Sequence, residues 1–411
     1  EYLLILLVDT MLVDFSIFLT CIKSEFVSPD TIWTDIFQEE NLLNMKYIWV
    51  YFVALTTLLI SGNDHTCKRC HPVIYAEFHN SMHKKSSIYS DKVHQSIWDL
   101  HPSKAKGDYQ CAKCHTPNAK TEEEQKGGIS CVSCHTISNV TEHARSNKNI
   151  YTEGSKTFFS AQPGKEDTKL TYQTKSTFMG MFKTTIGSPH HDIDYRNENY
   201  YTGKVCMGCH SHKQNSHSFE VCRTDSKGSR DKEQNCITCH MPQVKGSATT
   251  IQKTKTHAFH GFAGVYTAPE MLSRYIDLDF KKTEDGFTVT VTNKAPHNLL
   301  LHPLRVLQLK AILKREGKTK TLKTYSFVKT LGHEGRPAMP WEATEVHKDT
   351  MIKANEERNA AFEEPLQKGD TLEVTLGFYA VNPKVVEKLG LQEETELTRF
   401  KTLKHQFISV K

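Results

Sequence analysis

The segment Cys131-Val132-Ser133-Cys134-His135 holds two cysteines separated by two residues and followed at once by a histidine. The same pattern occurs five times between residues 67 and 240 and uses ten of the twelve cysteines in the 411-residue chain. We number these motifs 1 to 5 in chain order. The other four copies are Cys67-Lys68-Arg69-Cys70-His71 (motif 1), Cys111-Ala112-Lys113-Cys114-His115 (motif 2), Cys206-Met207-Gly208-Cys209-His210 (motif 4) and Cys236-Ile237-Thr238-Cys239-His240 (motif 5).

This pattern is the attachment signature of c-type haem. The two thiols form thioethers with the haem, and the adjacent imidazole becomes the proximal ligand of the iron. Zinc sites and disulfides also use paired cysteines, but neither requires a histidine after every pair. The sequence therefore predicts five covalently attached haems. Their predicted proximal ligands are His71, His115, His135, His210 and His240.

The second axial ligand of each iron decides its chemistry. A second histidine gives a low-potential carrier, a methionine raises the potential, and an open position admits a substrate. For each histidine the alternative is a surface or hydrogen-bonded side chain, and for each methionine it is packing in the core. From local context, the candidate distal ligands are His83, His190, His257 and His297, with weaker candidates at His94, His101, His143, Met82, Met179 and Met181.

The chain resembles the multihaem c-type cytochromes of the cytochrome c-554 family over about residues 64–300. The matching segments are Cys67 to Pro72, Tyr75 to Phe78, Ser81-Met82-His83, Gly128-Ile129-Ser130 before Cys131, Cys239 to Pro242, His257-Ala258-Phe259, Val291-Thr292-Asn293 and His297. The resemblance implies that His83 and the histidine after the last motif, His257, are distal ligands. The family's namesake has four haems and this chain has five motifs. The resemblance therefore does not imply which haem is additional or whether one iron is open.

After residue 262 the sequence changes character, because cysteine is absent and apolar residues alternate with polar ones. The alternation covers residues 286–292, 305–310 and 371–377, and it is typical of half-buried antiparallel strands. The sequence thus predicts an α+β protein with two domains. Residues 62–262 form a haem-packed domain of mostly short helices and irregular structure, and residues 263–411 form an antiparallel β-sandwich.

Residues 1–61 form a hydrophobic leader with two basic and eight acidic residues. Within it, residues 45–61 combine a Met, a Lys and a long apolar run, which is typical of a signal peptide. The alternative is an uncleaved membrane anchor, although the run is short for that role. For residues 1–44 we expect an over-long gene start before Met45, and the alternative is a second membrane segment.

The formal charge of +5 averages this acidic leader with a body that holds 50 basic and 39 acidic residues. We interpret the basic excess as the counter-charge of haem propionates, and we expect no nucleic-acid partner. The hydrophobic fraction of 38% argues against a polytopic membrane protein. Attachment of c-type haem takes place outside the cytoplasm, so the sequence predicts a periplasmic bacterial protein.

Three functions fit this sequence. The first is an electron carrier that relays electrons between redox partner proteins, and it is favoured because candidate distal histidines outnumber the irons. The second is an oxidoreductase that acts on a small nitrogen or sulfur compound at a five-coordinate haem. The third is a quinol-oxidising cytochrome that works with a membrane quinol dehydrogenase, which requires residues 45–61 to remain as an anchor. Whether the protein is an enzyme therefore stays open.

Overall fold

The structure is a computed structural model that describes residues 64–152, 154, 156–177, 182–224 and 232–411. Residues Asp64–Lys411 form one compact unit. The predicted leader and signal peptide, as well as Met179 and Met181, lie outside the described residues. Among the helices of the described residues, none is long and apolar enough to cross a membrane.

The helices are short, and most of them lie before residue 241. The α-helices are α1 (Asp64–Lys68), α2 (Pro72–Asn80), α3 (Lys92–Leu100), α4 (Ala112–His115), α5 (Glu122–Lys126), α6 (Cys131–His135), α7 (Met207–His210), α8 (Cys236–His240) and α9 (Thr395–Thr398). The 3₁₀-helices are Pro102–Lys106, Glu198–Tyr200, Lys204–Cys206, Pro269–Tyr275 and Pro383–Val385. Because a short helix buries little apolar surface by itself, these segments depend on contacts with their neighbours.

Strands in the haem-motif region form small sheets between the helices. They are β1 (Ile137–Thr141), β2 (Lys148–Tyr151), β3 (Thr157–Phe159), β4 (Lys169–Leu170), β5 (Gln173–Thr177), β6 (Phe182–Ile186), β7 (Asp192–Asp194), β8 (His212–Gln214), β9 (Glu220–Arg223), β10 (Gln243–Lys245) and β11 (Thr256–Ala258). Four antiparallel hairpins pair β1 with β2, β5 with β6, β8 with β9 and β10 with β11. The fifth sheet has the order β3-β7-β4, and its β3–β7 pair is parallel.

Longer strands follow after residue 275. They are β12 (Ile276–Lys282), β13 (Phe287–Asn293), β14 (Val306–Arg315), β15 (Lys318–Thr321), β16 (Tyr325–Phe327), β17 (Lys329–His333), β18 (Arg336–Pro337), β19 (Glu345–Asp349), β20 (Glu357–Phe362), β21 (Thr371–Tyr379) and β22 (Phe400–Ser409). They form an antiparallel sheet β12-β13-β20, a second one in the order β15-β14-β21-β22 with β16 beside β14, and a third in the order β18-β17-β19.

One apolar core joins the first two of these sheets. Along β13, Phe287, Val289 and Val291 are buried at every second position, as the alternating sequence predicts. They belong to the same buried cluster as Leu309 of β14 and Leu376 of β21. The α+β class and the three predicted strands are therefore confirmed, while the domain boundary near residue 262 stays a prediction.

Two apolar contacts connect the haem-motif region to the part of the chain after residue 275. Val93 and Ile97 of α3 pack against a buried cluster that contains Val381 and Leu391. In a second cluster, Val221 of β9 is buried together with residues of the later strands. These contacts place α3 and β9 in fixed positions relative to the larger sheets.

We expect Leu309→Ala to lower the free energy of unfolding by about 3 kcal/mol, because it leaves a cavity in the centre of the core. Leu309 is 0% exposed, whereas Leu100 at the end of α3 is 42% exposed, so Leu100→Ala is the matched control. Urea denaturation of the full-length protein, followed by circular dichroism, measures both losses. Equal losses for the two variants would show that the sheets do not share a core around Leu309.

Candidate haem attachment sites

Each of the five motifs forms about one turn of helix. Motifs 3 and 5 coincide with α6 and α8, and both helices begin with a capping box, from Ser130 and Ser133 and from Asn235 and Thr238. In these boxes, each side chain satisfies a backbone N–H that has no partner within the helix. One helical turn places both cysteines and the histidine of a motif close to the same point in space. None of the described cysteines forms a disulfide, so the motif thiols are available to form thioethers.

The histidines of the motifs share one hydrogen-bonding pattern. In four of them the ring nitrogen Nδ1 lies against a backbone carbonyl, which can only accept, so Nδ1 carries the proton and Nε2 is left as the metal-binding atom. The carbonyl partners are Ala248 for His71 (2.8 Å), Ser86 for His115 (3.0 Å), Phe159 for His135 (2.7 Å) and Ala263 for His240 (2.6 Å). This is the tautomer that an iron ligand needs.

Four of the five motif histidines face a second imidazole across a gap. Imidazole nitrogens bind first-row metal ions at about 2 Å, so two rings on opposite sides of one ion have centroids about 6 Å apart. The observed centroid separations are 6.3 Å for His71 and His191, 5.9 Å for His83 and His210, 6.4 Å for His135 and His260, and 6.1 Å for His240 and His297. Each gap therefore has the width that a haem iron with two histidine ligands requires.

His83 and His297 thus lie where a distal ligand is expected, each opposite a motif histidine. The structure holds His83 through its backbone, since its carbonyl accepts a hydrogen bond from the N–H of Ile129. Gly128 precedes this contact with a φ of +67°, and a Cβ atom there would lie 2.2 Å from the Lys84 carbonyl oxygen. Only glycine allows the segment before motif 3 to approach the His83 loop so closely.

His190 and His257 lie in different settings. His190 is exposed, and it is its neighbour His191 that faces His71. His257 is buried, but its Nε2 is 3.0 Å from Oε1 of Glu77 and its Nδ1 is 3.0 Å from the Gly246 carbonyl. Both of its nitrogens are therefore engaged, and His260, three residues later, faces motif 3 instead.

Among the weaker histidine candidates, His101 and His143 have the opposite tautomer, and His94 lies closer to a motif histidine than the paired imidazoles do. Nδ1 of His101 accepts a hydrogen bond from the N–H of Ser103, and Nδ1 of His143 accepts one from the N–H of Arg145. Their Nδ1 atoms carry no proton, unlike those of the motif histidines. His94 behaves differently again, because it contacts a motif histidine directly.

His94 and His115 have ring centroids only 4.0 Å apart. Both Nδ1 atoms point to the same carbonyl, that of Ser86, at 2.9 and 3.0 Å. Nε2 of His94 is 3.3 Å from the hydroxyl of Tyr109. The rings leave no room for an iron between them, so motif 2 differs from the other four motifs.

The thiols show which motifs are neighbours. A hydrogen bond to Cys131 lowers the pKa of Cys67 to about 7, and one to Cys209 lowers the pKa of Cys114 to about 6. A hydrogen bond to Cys206 likewise lowers the pKa of Cys236. Motif 1 therefore touches motif 3, motif 2 touches motif 4, and motif 4 touches motif 5.

Desolvation keeps the buried imidazoles neutral. It lowers the pKa of His83 and His115 to about 3 and that of His260 to about 4. A neutral imidazole is the form that binds a metal ion. The described residues contain no group of three or more His, Cys, Asp or Glu side chains that would hold a bare metal ion.

Glu77 holds the segment that carries His260. Its Oε2 accepts a hydrogen bond from the backbone N–H of His260 at 2.9 Å, while its Oε1 binds His257. We expect Glu77→Ala to lower the free energy of unfolding by about 3 kcal/mol, because it leaves the N–H of His260 and the buried Nε2 of His257 without their hydrogen-bond partner. Glu77→Gln retains hydrogen-bonding groups at both positions and should recover part of this loss.

Urea denaturation of the full-length protein checks this expectation. The control is Glu123→Ala, since the Glu123 side chain is 85% exposed in its pair with Lys126, and its stability should stay close to that of the wild type. A loss for Glu77→Ala no larger than that of the control would mean that Glu77 does not hold the His260 segment.

Comparisons with known proteins found one family model and one solved structure that are similar to this chain. Residues 66–136, which include motifs 1 to 3, match the family model described as cytochrome c554 and c-prime. The fold is similar to the crystal structure of a penta-heme cytochrome c552 from Thermochromatium tepidum, with a TM-score of 0.65 and 22% sequence identity, over 84% of this chain and 97% of that chain. No curated protein sequence matches the chain. The resemblance to the cytochrome c554 family is thus confirmed over residues 66–136, and the structural match shows that the fold is similar to that of a penta-heme cytochrome.

Proposed function

We propose that this protein is a periplasmic electron-transfer cytochrome that carries five covalently attached haems and relays electrons between redox partner proteins. The observation that carries the proposal is the set of four imidazole pairs with centroid separations of 5.9 to 6.4 Å. Two histidine ligands fill both axial positions of an iron and favour electron transfer over substrate binding.

In this proposal, the ten motif thiols hold the haems and the motif histidines provide the proximal ligands. The distal ligands are His191 opposite motif 1, His260 opposite motif 3, His83 opposite motif 4 and His297 opposite motif 5. Bound haem supplies one-electron exchange between ferric and ferrous iron. The chain fixes the rings, keeps them neutral and excludes water around them.

The contacts between motifs support a continuous path. The thiol contacts connect motif 1 to motif 3, and motif 4 to motifs 2 and 5. Between these two groups, Phe262 has ring centroids 4.1 Å from His83 and 6.3 Å from His260. Cys134 of motif 3 is also close enough to Cys206 of motif 4 to affect its ionisation. Motif 1 therefore adjoins motif 3, and motif 3 adjoins motif 4. Motifs 2 and 5 both adjoin motif 4.

The periplasmic location rests on the chemistry of haem attachment and on the apolar run at residues 45–61. We further propose that the two sheets sharing a core after residue 275 form the expected β-sandwich, which supports α3 and the helical region. The quinol-oxidising alternative depends on residues 45–61 remaining as an anchor.

The neighbouring residues His190 and His191 provide a matched test of the ligand assignment. We expect His191→Ala to convert one low-spin ferric haem into a high-spin one, because it removes a distal imidazole. His190→Ala should keep the wild-type spectrum. Electron paramagnetic resonance of the oxidised full-length proteins measures both, and a new high-spin signal in His190→Ala alone would reverse the assignment.

A second function is favoured by one observation, the 4.0 Å separation of His94 and His115. With His94 packed against the motif histidine, none of the described residues provides motif 2 with a paired ring at the separation seen at the other motifs. An iron with one open position would then bind a small nitrogen or sulfur compound, with the Tyr109 hydroxyl, which donates to Nε2 of His94, as a nearby proton donor.

Titration of the oxidised protein with nitrite or hydroxylamine tests this second function. A high-spin signal that belongs to one haem and shifts on addition of either compound is the expected result for an open iron at motif 2. If every haem is low-spin and neither compound changes the spectrum, motif 2 is a carrier site like the others.

A further inference from the structure

The loop between β10 and β11 covers the turn of motif 1. The N–H of Thr250 donates to the Cys70 carbonyl at 2.9 Å, and Nδ1 of His71 donates to the Ala248 carbonyl at 2.8 Å. The loop is closed by a hydrogen bond from the N–H of Gly246 to the Lys255 carbonyl at 3.0 Å. Inside it, the Ser247 hydroxyl donates to the Thr249 carbonyl at 2.7 Å. The loop and motif 1 therefore present one ordered surface.

This surface is positively charged and lacks ion pairs. Its cations are Lys68, Arg69, Lys245, Lys253 and Lys255, all of them exposed. Acidic residues are absent from residues 65–76 and 243–257. Among the described residues, none of the five cations has a carboxylate within salt-bridge distance. On the later strands, by contrast, Lys314 pairs with Glu373 at 2.9 Å and Lys320 pairs with Glu364 at 2.6 Å. Five exposed cations therefore lie beside motif 1 without a neutralising carboxylate among the described residues.

Two apolar side chains lie among these charges. Ile251, in the loop, is 62% exposed, and Val73, in the first turn of α2, is 42% exposed. Exposed apolar residues inside a charged rim are typical of protein–protein interfaces. We call the five cations together with Ile251 and Val73 the motif 1 patch.

The patch also lies at one end of the series of haem sites. Cys67 of motif 1 is hydrogen-bonded to Cys131 of motif 3, while the contacts of motif 4 extend to both motif 2 and motif 5. A terminal site is the place where an electron can enter or leave the relay.

We propose that the motif 1 patch is the docking surface for an acidic redox partner protein, and that electrons enter or leave the relay at motif 1. This inference rests on the proposed electron-transfer function. The unpaired cations attract and orient a negatively charged partner, and Ile251 and Val73 provide the apolar contact in the docked complex.

Stopped-flow reduction of the full-length protein by an acidic plant-type [2Fe–2S] ferredoxin tests the proposal. The test variant is Lys253→Glu with Lys255→Glu, and the matched control is Lys384→Glu with Lys388→Glu. The control lysines are also exposed and lie near the end of the chain, so both variants change the net charge equally. A third variant, Lys253→Gln with Lys255→Gln, removes the charges without reversing them.

At low ionic strength, we expect the test variant to react about tenfold more slowly than the wild type and the control to stay within about twofold of it. The Gln variant should lie between these values. Added salt should slow the wild type and reduce the difference between the proteins. Equal rates for the test and control variants would contradict the proposal that the motif 1 patch is a docking surface.

Two further outcomes are also decisive. If dithionite reduces the haems but ferredoxin does not reduce the wild type, the electron-transfer function itself fails along with the docking surface. If ferredoxin rates are equal but the test variant alone loses binding to phosphatidylglycerol vesicles, the patch binds a membrane surface and the proposal is wrong.

Discussion

The hydrogen bond from a motif histidine to a backbone carbonyl is the constraint on which the haem-motif region depends. It fixes the plane of the ring, sets the tautomer and leaves Nε2 for iron. The acceptors come from other segments of the chain: Ala248 is 177 residues from His71, and Ser86 is 29 residues from His115. Each bond therefore also attaches another segment of the chain to a motif. In this way a local sequence pattern organises distant parts of the chain.

The two regions of the chain obtain their stability differently. After residue 275, long alternating strands bury Phe287, Leu309 and Leu376 in one apolar core. The haem-motif region has short helices and small sheets, and its buried side chains include polar groups such as Ser87 and Thr116. Large apolar cofactors would supply the bulk that such a region lacks. Helix α3, which carries His94, packs against a separate buried cluster that contains Val381 and Leu391.

The grouping of two cysteines and a histidine at each motif could be predicted from the sequence, because these residues are adjacent in the chain and one helical turn brings them together. The same holds for β13, β14 and β21, whose alternation shows which side chains are buried. The distal side could be predicted only in part. His191 lies one residue from the predicted His190, and His260 lies three residues from the predicted His257. Local sequence cannot show which of two neighbouring histidines faces a motif. In the structure the choice at His257 follows from Glu77, 180 residues away, which engages its Nε2.

The central claim is that all five motifs carry a haem and that the fold is arranged around them. Intact-protein mass spectrometry of the purified protein, under conditions that unfold it and release non-covalent ligands, tests this claim most directly. We expect one species whose mass exceeds that of the polypeptide by five haem groups. A species with fewer haems, or with free thiols in any of the five motifs, would contradict it.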